Sequence, residues 1–165
     1  MSIPIYGTSP FHNAVHNDHT DAMRLLIEHG VDVNKKGKYA NTPLHMASVR
    51  GLINAMKLLI DHEADVNMKD DMGRTPLHRA SSNGNTDVMK LLIKNEAKID
   101  ENNAGGWTPL HDASFYGHVD AMRLLIEHGA NVNGKNIYER TPLHYASCYG
   151  NTEAVELLRA HGAIQ

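Results

Sequence analysis

Thr42-Pro43-Leu44-His45, Thr75-Pro76-Leu77-His78, Thr108-Pro109-Leu110-His111 and Thr141-Pro142-Leu143-His144 are four copies of one tetrapeptide, set 33 residues apart. One step further back stands Ser9-Pro10-Phe11-His12, a worn copy in the same register. Five of the six prolines fall in this register. Self-similarity at a fixed period of this kind marks a stacked repeat architecture and outranks other sequence signals.

Within each copy the residue types specify two helices. Thr75 suits an N-cap, where its hydroxyl accepts an orphan backbone N–H. Pro76 follows at the first helical position, where its missing N–H is not needed. Leu77, Ala80 and Ser81 then give a short helix with one small face. Gly84 closes it, as Gly51, Gly117 and Gly150 do in other copies, at a place that suits a left-handed residue. The first copy has Asp18 there, which tolerates that conformation better than most residues. A second helix is expected over Thr86 to Lys94, with Val88, Met89, Leu91, Leu92 and Ile93 on a broad apolar face. Met23, Met56, Met122 and Val155 share the position of Met89 and read as packing between helices. An extended stretch such as Ala64-Asp65-Val66-Asn67 and a polar tip such as Asp70-Asp71-Met72-Gly73-Arg74 lead into the next copy. One such unit cannot bury its own apolar face, so the units must stack.

These residues make the chain resemble the ankyrin repeat proteins. The resemblance rests on the four intact Thr-Pro-Leu-His runs, the links Gly117-His118 and Gly150-Asn151, the Leu-Leu pairs, and Gly129-Ala130-Asn131-Val132-Asn133. It covers the chain from about Ile5 onward. It implies an all-α fold: an ankyrin-repeat solenoid of five stacked helix-turn-helix repeats with projecting β-turn fingers. Fingers and short helices would form the concave face of an L-shaped stack, which binds as a rigid surface. The repeats would run over approximately 4–36, 37–69, 70–102, 103–135 and 136–165, one domain over 1–165.

The two end repeats read as caps. Arg159 replaces the isoleucine seen at Ile27, Ile60, Ile93 and Ile126, and the first short helix carries polar Asn13, His16 and Asn17. On that pattern the chain is expected to be a self-contained array. Glu63 and Glu96 depart from the family, which places glycine after the second helix, as at Gly30, Gly129 and Gly162. If left-handed, each costs on the order of 1 kcal/mol relative to glycine. Asn34, Asn67 and Asn133 resemble asparagines hydroxylated in some ankyrin proteins.

The formal charge of -3 and the pI near 6.4 give no general attraction to nucleic acid or anionic membrane. Cys148 is the single cysteine, so no intrachain disulfide forms, and a reducing compartment fits. Met1-Ser2-Ile3-Pro4-Ile5-Tyr6 lacks the basic and apolar regions of a signal peptide, and no apolar run approaches the roughly 20 residues of a membrane span. A cytoplasmic protein is expected, with the nucleus as an alternative.

Twelve histidines raise the question of a metal site. Five belong to the tetrapeptide register. His29, His62, His128 and His161 fall at the ends of second helices, where they favour the helix dipole and bond free carbonyls. Equivalent positions on neighbouring helices lie roughly 8–10 Å apart, too far to share an ion with bonds of about 2 Å unless the side chains lean together. No metal and no cofactor are therefore expected. There is no Gly-x-Ser-x-Gly, His-Glu-x-x-His or phosphate-binding glycine loop. Cys148 has His144 one turn earlier, a pairing easily met by chance in so histidine-rich a chain, and reads as an unactivated thiol. The chain is expected to be no enzyme.

The aromatic residues carry the functional signal. Phe11 takes the leucine place of the motif, and the other eight are Tyr6, Tyr39, Trp107, Phe115, Tyr116, Tyr138, Tyr145 and Tyr149. All eight fall on a finger or on the variable face of a short helix. The register shows these places are wet: Asn13, Met46, Arg79 and Asp112 share the position of Tyr145, and Thr8, Asn41, Arg74 and Arg140 share that of Trp107. Rings gathered on one exposed face mark an interaction site, and Trp, Tyr and Arg dominate interface hot spots. By contrast Asp21 to Gly30 and Asp120 to Gly129 are identical, so the scaffold is uniform while the face is individual.

The expected role is protein binding across the concave face. Trp107, Phe115, Tyr116, Tyr138, Tyr145 and Tyr149 would be anchors, with Tyr39 further along, and Arg50, Arg74 and Arg79 would select an acidic stretch on the partner. A monomer is expected. Two alternatives are a self-associating scaffold that uses the aromatic face, and a nucleic-acid or nucleotide binder, against which the overall charge argues.

Overall fold

The computed structural model describes residues 9–164. Ten α-helices occur among them in five pairs. The pairs are α1 (Pro10–His16) with α2 (Thr20–Glu28), α3 (Pro43–Arg50) with α4 (Ile53–Asp61), and α5 (Pro76–Ser82) with α6 (Thr86–Lys94). They continue with α7 (Pro109–Tyr116) and α8 (Val119–Glu127), then α9 (Pro142–Cys148) and α10 (Thr152–Ala160). No strand is found among the described residues. The first helices of the pairs pack in chain order as one row, α1 on α3, α3 on α5, α5 on α7 and α7 on α9. The second helices lie behind them, each packed on its own partner.

Each Thr-Pro-Leu-His run begins a first-row helix as its residue types dictate. Thr42, Thr75, Thr108 and Thr141 are extended N-caps, each followed by proline in the first turn. The leucine enters the core: Leu44, Leu77, Leu110 and Leu143 are buried, with Phe11 in the same place. Ala47, Ala80, Ala113 and Ala146 are fully buried and let neighbouring helices close up. Met23, Met56, Met89 and Met122 are also fully buried, filling the gap between the rows as their shared register suggests.

The motif histidine ties each repeat to the next. Nδ1 of His78 accepts the Thr75 N–H at 3.1 Å, so Nε2 carries the ring hydrogen and donates it to the Trp107 carbonyl at 2.9 Å. His45 makes the same pair of bonds to Thr42 and the Arg74 carbonyl, and His111 to Thr108 and the Arg140 carbonyl. Nothing in a single tetrapeptide announces this link between repeats. The recurrence of Thr and His three residues apart was the available signal.

The turns follow the same economy. Gly51, Gly84, Gly117 and Gly150 are left-handed, and Asp18 takes their place with φ 54°. Glu63 and Glu96 are left-handed too, at φ 66° and 67°, where Gly30, Gly129 and Gly162 stand in other repeats. His29, His62, His128 and His161 each bring Nδ1 within 2.8 Å of the carbonyl four residues earlier, closing the helix ends. Asn34 and Asn67 each donate to the carbonyl of a left-handed glutamate in the next repeat and accept an N–H two residues beyond it. Asn133 bonds Gly162 and Ile164 in the same way. At the last second-row helix Arg159 is exposed where Ile27, Ile60, Ile93 and Ile126 pack on the core.

Candidate functional site

The fingers and first-row helices present the variable residues. Three fingers share one device. Asp70, Asn103 and Asn136 each turn Oδ1 back to accept the N–H groups two and four residues on. Adjacent fingers are stitched by single backbone bonds: the Asp71 N–H to the Tyr39 carbonyl, Ala104 to Met72, and Ile137 to Gly105. Side chains on different fingers are thereby held in one spatial order.

This order gathers five of the expected aromatic anchors. Trp107 stands at the base of its finger, Phe115 and Tyr116 at the end of α7, Tyr145 on α9 and Tyr149 at its C-cap. The Trp107 and Tyr145 ring centres are 4.3 Å apart, as are those of Phe115 and Tyr149. Phe115 meets Tyr116 edge-on at 4.8 Å and Trp107 at 5.6 Å. Tyr145 is further fixed by a 2.8 Å hydrogen bond from Asn136 Nδ2 to its hydroxyl. Trp107, Phe115 and Tyr145 are half-buried against each other, while Tyr116 and Tyr149 are 56% and 58% exposed. Tilted and edge-on pairs of this kind contribute about 0.5–1.5 kcal/mol each beyond their area. The patch is thus a braced platform with two tyrosines on its outer side.

Two expected anchors stand apart. Tyr138 is exposed on its finger, outside the ring cluster. Tyr39 is exposed at the other end of the face, with Lys38 Nζ 4.8 Å from its ring centre. Tyr6 lies outside the described residues.

The middle of the face is less basic than its arginines suggest. Arg74 Nε donates to the buried Asp70 carboxylate at 2.8 Å. Arg79 is half-buried and reaches Asn41 Oδ1 at 3.4 Å, and its Nε has no hydrogen-bond partner among the described residues. On the next helix, in the same register, Asp112 is buried, and its Oδ2 has no hydrogen-bond partner among the described residues. Burial pushes its carboxyl up to about 7, against the pull of Arg74 and Arg79. Arg50 is exposed, and the described residues include no carboxylate in ion-pair contact with it.

The spacing, the paired helices and the finger lattice now stand together with an independent finding. The family model for ankyrin repeats (3 copies) matches residues 2–70, 67–136 and 96–165. The chain belongs to the ankyrin repeat family. Among curated proteins no relative matches it. Ankyrin repeats are generally protein–protein interaction modules and are typically non-enzymatic. No described helix is long and apolar enough to cross a membrane. Among the described residues no group of three or more His, Cys, Asp or Glu is arranged to hold a metal. Exposed Cys148 has His144 Nε2 3.5 Å from its sulfur, at the one intact motif histidine that holds no finger carbonyl.

Proposed function

We propose that this ankyrin array is a non-enzymatic recognition module that binds a partner protein across its concave face of fingers and first-row helices. The observation that carries this reading is the braced ring cluster, whose rings come from a finger and two first-row helices and whose outer tyrosines are more than half exposed. A lone monomer gains little from solvent-facing rings, whereas an interface gains contact area at small entropic cost. Arg50 and Lys38, both exposed, add positive charge at the far end and favour a partner segment that is partly acidic.

The test compares wild type with a Tyr116→Ala/Tyr149→Ala variant as bait in lysate of the source or host, then measures the recovered partner with purified proteins. Truncating hot-spot tyrosines should weaken binding by about 2 kcal/mol. Equal affinity for both forms would remove the aromatic platform from the interface. Mass measurement across concentration separates this from self-association, which would appear as a dimer that the same variant dissolves.

A further inference from the structure

The first described finger differs from the other three, and a groove lies beside it. Gly37 stands where Asp70, Asn103 and Asn136 stand in their fingers, so it has no Oδ1 to hold the turn. The turn takes another course. Tyr39 and Ala40 are both left-handed, at φ 58° and 53°, whereas each other finger has one such residue, at Gly73, Gly106 or Glu139. Two consecutive non-glycine residues in that conformation are a strained solution that surrounding contacts must hold. Glycine at 37 also lets the finger settle on His12: a Cβ there would lie 2.9 Å from His12 Nε2. His12 is 2% exposed, and among the described residues its Nε2 has no well-formed hydrogen bond, interacting only weakly with the Lys35 and Asn41 backbone. In His45, His78 and His111 that atom holds a finger carbonyl.

Beside this finger lies a groove of about 310 Å³. Tyr39, Met46 and Val49 give it apolar walls, and Lys38, Arg50 and Arg79 stand around it. Among the described residues no carboxylate lines it, and none makes an ion pair with any of the three cations. The acids that act on Arg79, namely Asp70, Asp71 and Asp112, lie outside the lining. Among the described residues Arg79 Nε, at this groove, lacks a hydrogen-bond partner.

We infer that this groove is a second anchor pocket, which receives an apolar side chain flanked by Asp or Glu on the partner protein. The inference rests on the protein-binding reading above but concerns the opposite end of the face and a different chemistry. The apolar side chain covers Met46, Val49 and the Tyr39 ring, while the carboxylate meets Lys38, Arg50 and Arg79. Docking strips water from those cations, and a neutral partner would leave them uncompensated. The chain's negative net charge and the small number of cations favour a peptide over a nucleic acid.

Short random peptides displayed on phage are selected against the intact wild-type protein. A recovered peptide is then titrated against wild type, a Lys38→Glu/Arg50→Glu variant and the Tyr116→Ala/Tyr149→Ala variant. Lys38 and Arg50 are exposed, so their exchange leaves the fold in place, which a thermal melt checks. The inference expects recovered peptides that set Leu, Phe or Trp beside Asp or Glu. It expects about tenfold weaker binding to the charge-reversed variant and about unchanged binding to the tyrosine variant. Peptides without that pairing, binding that survives charge reversal, or no enrichment would overturn it. Loss with the tyrosine variant alone would overturn this pocket while leaving the aromatic platform as a binding site. A single-stranded oligonucleotide that competes for Lys38 and Arg50 with steep salt dependence would overturn it in favour of nucleic acid.

Discussion

His78 donates from Nε2 to the carbonyl of Trp107, 2.9 Å away and 29 residues later. One buried ring thus spans the joint between two repeats, with its other nitrogen accepting the Thr75 N–H. Protonation would place a hydrogen on Nδ1 and break that second bond. Burial, the largest cause, lowers the pKa of His78 from 6.5 to about 4, outweighing the bond to the Trp107 carbonyl. His45 and His111 are shifted the same way, also by burial first.

These shifts predict acid lability. Between pH 6.5 and about 4 the unfolded chain takes up a proton at this residue that the folded chain refuses. The stabilisation is therefore complete above the unfolded pKa and is lost as pH falls through that window, by about 3 kcal/mol for His78 alone. The melting temperature should fall steeply over this range, and less so in a His78→Gln variant. A flat profile would contradict the buried neutral histidine.

Asp112 has the opposite sign. Its folded pKa is raised from 3.8 to about 7, so in that interval the folded chain keeps a proton the unfolded chain releases. The group therefore destabilises the fold progressively as pH rises, and fully so above about 7. Asp112→Asn should add about 1–3 kcal/mol of stability near pH 8 and nothing near pH 4. Denaturant titrations at the two pH values check this. Equal effects at both would mean that the substitution acts through packing instead of charge.

The left-handed glutamates predict a gain from glycine. Glu63→Gly and Glu96→Gly each remove a Cβ conflict at φ 66° and 67° and should each stabilise by about 1 kcal/mol. The sites lie in different repeats, so the double variant should sum the two. Differential scanning calorimetry of the three variants decides it. An unchanged melting temperature would mean that the lost side-chain contacts offset the relieved backbone.

Trp107 and Tyr149 should separate stability from surface. Trp107 is half-buried among Tyr145, Phe115 and His111, so Trp107→Ala should cost about 2–3 kcal/mol of folding stability. Tyr149 is 58% exposed, so Tyr149→Ala should cost under about 1 kcal/mol. Equilibrium unfolding of both variants tests the pair. Comparable losses would show Tyr149 to be structural.

Much of this was legible because a repeat states its own register. Thr75 and Pro76 announce a helix start, Gly84 a left-handed link, and Met89 a core position, each from a local rule confirmed four or five times along the chain. The exposure of Tyr116 and Tyr149 follows from polar Asn17, Arg50 and Asn83 in their register. The same reasoning fails for Trp107 and Tyr145, which are half-buried, and for Asp112 in the register of Tyr145, which is buried, because these side chains pack against the neighbouring repeat. The charge balance of the middle of the face was not legible. Arg74 reads from the sequence as a free cation, whereas its Nε lies 2.8 Å from the Asp70 carboxylate.

The sequence by itself determined the period, the paired helices, the core positions and the sites where glycine or its substitutes must be left-handed. These follow from propensity, capping and backbone sterics within one repeat. Only the tertiary structure decided what stands beside what across repeats: the His78 bond to Trp107, the linking of five aromatic rings, and the groove beside the Gly37 finger. Those depend on distances between residues some 30 positions apart, set by how closely the buried alanines let neighbouring helices approach. No local rule encodes that distance.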